Sequence, residues 1–252
     1  METLRIVTTS WDDGYLRDFL IADHLHCRGL KGTFYVPFNH EKHRVLNESD
    51  VRSLRLGGFE IGGHGLSHLT LPSLSTEGID REVRGCKDRL EDILGEQLDS
   101  FCYPRGRFSR RVRQRLRMAG YRAARTTRML AMNTNFEPFA MPTSLQAYPH
   151  TQATYIKNLA KASNIRGLFR HSLRLRHFES WLALGKNLFD LVLRDGGIWH
   201  LYGHSWEIEE LGLWAELREM LDYVAKRPGV AYLSNGDVSR LRSSHTSTLR
   251  DN

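Results

Sequence analysis

The stretch "LRIVTTSWDDGY", residues 4–15, decides how the rest of the chain is read. Its first half, "LRIVTTS", is rich in β-formers and reads as a strand. Asp12 and Asp13 then stand side by side, followed by Gly14, which suits a tight turn away from the strand. Neighbouring carboxylates repel each other, so a pair at the end of a buried strand points to a task that needs both.

Working outward, strands and helices alternate. Residues 15–28 read as a helix, "KGTFYVP" as a strand closed by Pro37, and "SDVRSLRL" as a short helix with Ser49 at its N-cap. "GFEIGGH" is a brief strand, and residues 75–93 form a helix stopped by Gly95. "SFCYP" and "YRAART" are strands flanking a helix that Ser109 caps, Val112, Leu116 and Ala119 stripe, and Gly120 ends. Residues 155–194 turn mainly helical, with core packing expected for Tyr155, Phe169, Phe178 and Trp181. "GGIWHLYGH" follows as a strand. A single helix is expected over 206–225, striped by Leu211, Trp214, Leu217, Leu221 and Val224, and "GVAYLS" is the last strand. Such alternation implies an α/β fold, a parallel sheet covered by helices and either open or closed into a barrel. One domain over residues 1–242 is expected, with a helical insertion near 150–194 and a flexible polar tail over 243–252.

Of the 252 residues, 40% are hydrophobic and 26% charged, as in an ordinary soluble protein. No run approaches the roughly 20 apolar residues of a membrane span, and the N-terminus lacks a secretory pattern. Cys27, Cys86 and Cys102 are odd in number and irregularly spaced, which fits reduced, buried thiols and a cytoplasmic setting. Net charge is +7, and the segment Arg105–Arg128 carries ten arginines and no acid. Arg110, Arg111, Arg113, Arg115 and Arg117 fall on the wet side of their helix, and "RGLFRHSLRLRHF" at 166–178 is basic too. These are solvated faces or an attraction to an anionic partner, such as a phosphate-bearing substrate or an anionic membrane surface. No nucleic-acid-binding module is recognisable.

In α/β folds the chemistry collects at the carboxyl ends of the strands. Asp12 and Asp13 end the first strand, and His64 and His68 in "GGHGLSH" follow the third. Pro104 and Gly106 in "YPRGRF" follow the fourth, and His204 in "YGHSW" a late one. Two histidines four residues apart can meet one cation from the same side, and an aspartate from another strand end completes a His₂-carboxylate set with open positions. The remaining aspartate is then free to take a proton from water. His24 and His26, beside Cys27, lie two apart inside a helix and point in different directions.

These residues resemble the polysaccharide deacetylase (NodB-homology) family, carbohydrate esterase family 4, over residues 4–125 and again over about 195–233. "SWDDG" is similar to its T-F-D-D-G, "KGTFYV" to the strand that follows, and "EIGGHGLSH" to its E-I-G-x-H-[ST]-x-x-H. The resemblance implies a distorted, seven-stranded (β/α) barrel and a divalent metal, usually Zn2+, with Co2+, Ni2+ or Mn2+ as alternatives. Carried over by position, Asp13, His64 and His68 bind the metal, Asp12 is the general base, and the Arg105 N–H is the oxyanion donor. His204 is the general acid, with His200 a packed neighbour. Pro104, Gly106 and Arg125 are placed with the substrate.

Two departures stand out. Cys102 occupies the position where the family's arginine orients the catalytic aspartate, and no D-x-x-D-W motif is present. Arg125 or Arg122, at the end of the next strand, is a candidate source of the missing positive charge. The implied activity is metal-dependent removal of an acetyl group from an N-acetylated sugar. An intracellular, lipid- or nucleotide-linked saccharide bearing phosphate fits better than an extracellular polymer. The alternatives are another C–N hydrolase on this scaffold, a deformylase or cyclic-amide hydrolase, and a non-catalytic saccharide-binding homologue that keeps the metal.

Overall fold

A computed structural model describes residues 4–161 and 180–248. Its centre is β1 (Arg5–Asp12), flanked by β2 (Thr33–Val36) on one side and β7 (Gly197–Gly203) on the other. β3 (Glu60–Gly63), β4 (Ser100–Cys102) and β5 (Ala123–Arg125) extend the sheet beyond β2, and β6 (Leu145–Gln146) extends it beyond β7. All these pairings are parallel. β8 (Ala231–Tyr232) adds a two-residue pairing at the start of β1.

The sheet curls into a distorted barrel. Met141 exchanges backbone hydrogen bonds with Ala124 and Thr126 beside β5, while Ser144 and Ala147 donate to His200 and Tyr202 of β7. Residues 141–147 thus link the two ends of the sheet. The expected α/β barrel with seven principal strands is what the chain forms.

Strand alternation sorts the side chains into two environments. Val7, Trp11, Phe34, Ile61, Phe101, Trp199 and Leu201 belong to one large buried cluster with apolar residues of the covering helices. These helices are α1 (Asp18–His26), α2 (Glu48–Leu56), α3 (Thr76–Leu94), α4 (Arg110–Met118), α5 (Gln152–Lys161) and α6 (Trp181–Asp195). α7 (Ser205–Glu210), α8 (Trp214–Val224) and α9 (Asn235–Thr248) complete the set among the described residues.

The alternate residues fill the barrel in tiers. Ile6, Ile198, Met141 and Val238 form an apolar plug. Above it the Thr8 hydroxyl donates to Asn235, and then Ser10 meets His200. Asp12, Arg125, Tyr35 and Tyr202 share the uppermost tier. Above the plug the barrel interior is therefore polar, and the large apolar core lies outside it. Gly62 makes room for this tier, since a Cβ there would sit 2.4 Å from the Tyr35 ring.

Several expectations need correction. α2 is capped by Asn47, not Ser49: its side chain accepts from the Asp50 N–H and the Asp50 carboxylate accepts from the Asn47 N–H. The single helix expected over 206–225 is two, α7 and α8, because Gly212 at φ +66 turns the chain between them and leaves Leu211 exposed. Cys27 is exposed, whereas Cys86 and Cys102 are buried. α9 runs to Thr248, through the first part of the stretch assigned to a tail, and its start supplies Asn235 and Val238 to the barrel interior. Trp181 is buried and Tyr155 packs against the core, but Phe169, Phe178 and the basic stretch 166–178 lie outside the described residues.

The arginine helix is less free than its composition implies. Arg115 pairs with Asp80, and Arg113 and Arg117 both pair with Glu137. Arg111 donates to the carbonyls of Pro72 and Leu74. Most of this basic face is thus balanced by neighbouring acids and carbonyls.

Candidate active site

The end of β1 carries both aspartates to the mouth of the barrel, and the backbone separates them. Asp12 is the last strand residue and points inward, whereas Asp13 has φ +77, a left-handed conformation uncommon outside glycine. Gly14 continues the turn at φ +60. Two adjacent carboxylates therefore face different partners.

Asp13 Oδ1 lies 3.3 Å from His64 Nε2 and 3.2 Å from His68 Nε2. His64 donates its Nδ1–H to the Cys102 carbonyl at 2.8 Å, which turns Nε2 toward the aspartate. Burial, aided by the charge of His64, drives His68 down to about 3, so its imidazole is neutral. Burial also opposes the charge on Asp13, but the surrounding histidines outweigh it and hold the carboxyl well below its usual value. Asp13 Oδ1 is buried and has no hydrogen-bond partner among the described residues. Two imidazole nitrogens converging on an orphaned carboxylate oxygen make a ready cation cradle. Tetrahedral ligands at about 2.0–2.2 Å from an ion stand about 3.3 Å apart, so the spacing fits.

Two looser groupings share these residues, Asp12 with His64 and Cys102, and Asp13 with His40 and His43. His40 Nδ1 accepts the Lys42 N–H at 3.3 Å, which leaves the His40 proton on Nε2, facing Asp13 Oδ2 at 3.5 Å. His40 is thus placed as a donor and not a ligand. His24 and His26 join no such grouping among the described residues.

Asp12 is 2% exposed and its Oδ1 is ion-paired with Arg125, which is completely buried. The Tyr35 and Tyr202 rings flank the guanidinium at 5.3 and 4.7 Å, while its Nε and Nη1 have no hydrogen-bond partner among the described residues. Burial raises the Asp12 pKa, but Arg125, then His64 and His204, outweigh it and hold the carboxyl below its ordinary value. The Cys102 thiol approaches Oδ2 at 3.6 Å. Cys102 and Arg125 are register partners on β4 and β5. The positive charge has therefore moved one strand sideways at the same level of the barrel. Arg125 and Pro104 were both expected to contact substrate. Both are instead buried and absent from the cavity lining, and Arg125 faces Asp12.

His204 follows β7 and directs Nε2 into the site, 3.8 Å from Asp12 Oδ2 and 3.9 Å from Asp13 Oδ2. Its Nδ1–H donates to Glu207 at 2.6 Å, and Gln146 Nε2 donates to the same carboxylate oxygen at 2.9 Å. Burial works against the charge on His204, but Glu207, Asp13 and Asp12 outweigh it and push the pKa up to about 9. His200, deeper in the barrel, is held neutral at about 3 by burial and by the charge of Arg125. It donates to the Pro142 carbonyl and accepts from Ser10, so both ring nitrogens are engaged inside the barrel.

After β4, Arg105 has φ +56. The Gly106 and Arg107 amides turn back onto Tyr103 and Pro104, whereas the Arg105 N–H has no acceptor among the described residues. Its side chain meets Glu41 at 2.8 Å across the mouth. The resulting cavity is about 420 Å³ and is lined by both aspartates, His64, His68, His204, Lys42, Arg105, Gly106 and Trp206. His40, Gln146, Trp206 and Glu207 were not singled out from the sequence. Only Glu207, three residues after His204 at the start of a helix, carried a local signal, since an acid there meets a histidine one turn back.

Residues 3–124 match the model of the polysaccharide deacetylase family. Among solved structures, the chitin deacetylase of Colletotrichum lindemuthianum superposes with a TM-score of 0.60 at 17% identity, covering 94% of this chain and 88% of that one. A Mycobacterium smegmatis protein assigned to the polysaccharide deacetylases gives 0.62 at 15% identity, covering 97% and 92%. A Bacillus anthracis pseudoenzyme of carbohydrate esterase family 4 gives 0.55 at 14%, covering 94% and 66%. At these identities the superpositions speak for the fold. No curated protein matches this chain.

Proposed function

We propose that this protein hydrolyses the acetyl amide of an N-acetylated saccharide, using a divalent cation held by Asp13, His64 and His68. The observation that carries the reading is the donorless Asp13 oxygen facing two imidazole nitrogens, beside a second carboxylate held by a buried arginine. When bound, Zn2+ (or Co2+, Ni2+ or Mn2+) supplies Lewis acidity toward the acyl carbonyl and acidifies water. Asp12, ionised through Arg125, presents Oδ2, which takes a weak thiol contact from Cys102, to accept a proton from the attacking water. The Arg105 N–H donates to the oxyanion as it forms. His204, kept charged by Glu207, gives its proton to the departing amine. No covalent intermediate is needed.

The cavity suits a sugar or a short saccharide. Lys42 at its rim lies over the Trp206 ring, without an acid partner among the described residues, and favours an anionic substituent such as phosphate on the substrate. A lipid- or nucleotide-linked saccharide in the cytoplasm, where the exposed Cys27 stays reduced, fits these features. No described helix is long and apolar enough to cross a membrane.

The test is acetate release from a panel of N-acetylated sugars, nucleotide sugars and lipid-linked saccharides. Stripping the protein with a chelator should abolish release, and adding Zn2+ should restore it. Turnover that survives chelation would overturn the cation's role, and formate or no small acid in place of acetate would overturn the acetyl assignment. A second expectation concerns pH. The acid must be protonated, and Glu207 raises its pKa, so Glu207→Gln should move the alkaline limb of the rate profile to lower pH by about 1 unit or more. An unmoved limb would remove His204 from the role of acid.

A further inference from the structure

The two oxygens of Asp13 are treated differently. Oδ1 has no hydrogen-bond partner among the described residues and faces His64 and His68. Oδ2 accepts the indole N–H of Trp206 at 2.9 Å, and His40 Nε2 stands 3.5 Å from it. We propose that Trp206, seconded by His40, is a positioning residue that restricts Asp13 to one ligating oxygen and so keeps the cation's other positions open. This rests on the cation reading above.

The restriction follows from how each partner is held. Asp13 is short and its backbone sits in a left-handed turn, so the carboxylate reorients chiefly about its own side-chain torsions. Any rotation that brings both oxygens toward the histidines breaks the indole hydrogen bond. The indole itself is confined. Lys42 Nζ lies 4.4 Å over the ring, and the His204 ring packs against it at 5.6 Å. Ser205, one residue earlier, donates to the buried Asp18 and pins the start of α7. Trp206 therefore holds a fixed donor against the ligand, the kind of outer contact that sets a ligand's orientation. A chelating carboxylate would occupy a position that water or the acyl oxygen needs.

The test uses the whole protein with Trp206→Phe and, at the same position, β-(3-benzothienyl)alanine, which keeps the indole shape but replaces N–H with sulfur. Zn2+ affinity is measured by competition with a chromophoric chelator, and the Co2+-loaded protein is examined by visible absorption. Both replacements should weaken Zn2+ binding about 10–100-fold. The Co2+ bands should shift toward the weaker absorption of a higher coordination number. If Phe disturbs packing, the benzothienyl replacement decides, because it leaves the packing in place. Wild-type affinity and an unchanged Co2+ spectrum in that variant would overturn the inference while leaving the cation reading intact. Failure of the unaltered protein to bind Zn2+ or Co2+ would overturn both.

Discussion

Asp12→Asn is expected to cut turnover about 10²–10⁴-fold or more, the usual worth of a positioned general base, while Zn2+ affinity stays at the wild-type level. The reason lies in the division of labour at the end of β1. Asp12 points into the barrel toward Arg125 and Asp13 toward His64 and His68. Asparagine keeps an oxygen for the Arg125 hydrogen bond but cannot take a proton. Asp13→Asn should do the reverse and weaken metal binding first, with lost activity as its consequence. Calorimetric titration with Zn2+ and steady-state rates on the same preparations separate the two. Loss of metal binding in Asp12→Asn would show that the roles are exchanged.

The second large effect is at Arg125. Removing one member of a buried pair leaves the other charge uncompensated, which typically destabilises by about 3–5 kcal/mol. Arg125→Met should therefore lower the unfolding midpoint at neutral pH. The sign with pH follows from Asp12. Its folded pKa is depressed chiefly because the Arg125 charge outweighs the effect of burial, so its stabilising share is present above the unfolded carboxyl pKa and lost on acidification. Without Arg125 burial prevails, the folded pKa rises, and the acid limb of activity moves to higher pH. Because Cys102 and Arg125 are register partners, an arginine placed on β4 reaches the same tier. Adding Cys102→Arg to Arg125→Met should recover part of both stability and activity. A double variant no better than the single one would mean that the guanidinium serves something other than Asp12.

Much of the site was legible because its residues obey a local rule. Asp12, Asp13, His64, His68 and His204 each stand at a strand's carboxyl end, and the resemblance gave them roles that the geometry can accommodate. Arg125 was placed both with the substrate and, beside Arg122, as a source of the missing positive charge. Its partner Asp12 is more than a hundred residues away in sequence, and the register of β4 against β5 shows which of the two arginines stands level with Cys102. Trp206 and His40 carried no signal, since an indole after a strand and a histidine in a loop are ordinary until Asp13 is seen between them. The split between α7 and α8 was hidden by an apolar stripe that continues through Gly212, whose positive φ breaks the helix. The polar barrel interior was likewise concealed, because alternating residues such as Thr8 and Ser10 read as an outward face.

The ring of strands is uneven in strength. β1 and β7 are paired from Arg5 to Trp11, whereas residues 141–147 span the seam between β5 and β7 with a few backbone bonds at each end. Local opening is easiest where fewest such bonds must break, so amide exchange should be fastest along this seam and slowest along β1. Gln146 lies on the seam and braces Glu207 against His204. His204 itself follows the well-paired β7, so the seam reaches it through this Gln146–Glu207 brace. Asp12 and Asp13 hang from β1, but Arg125, which holds Asp12, ends β5 beside the same seam, so loosening there reaches both Glu207, through Gln146, and Asp12, through Arg125.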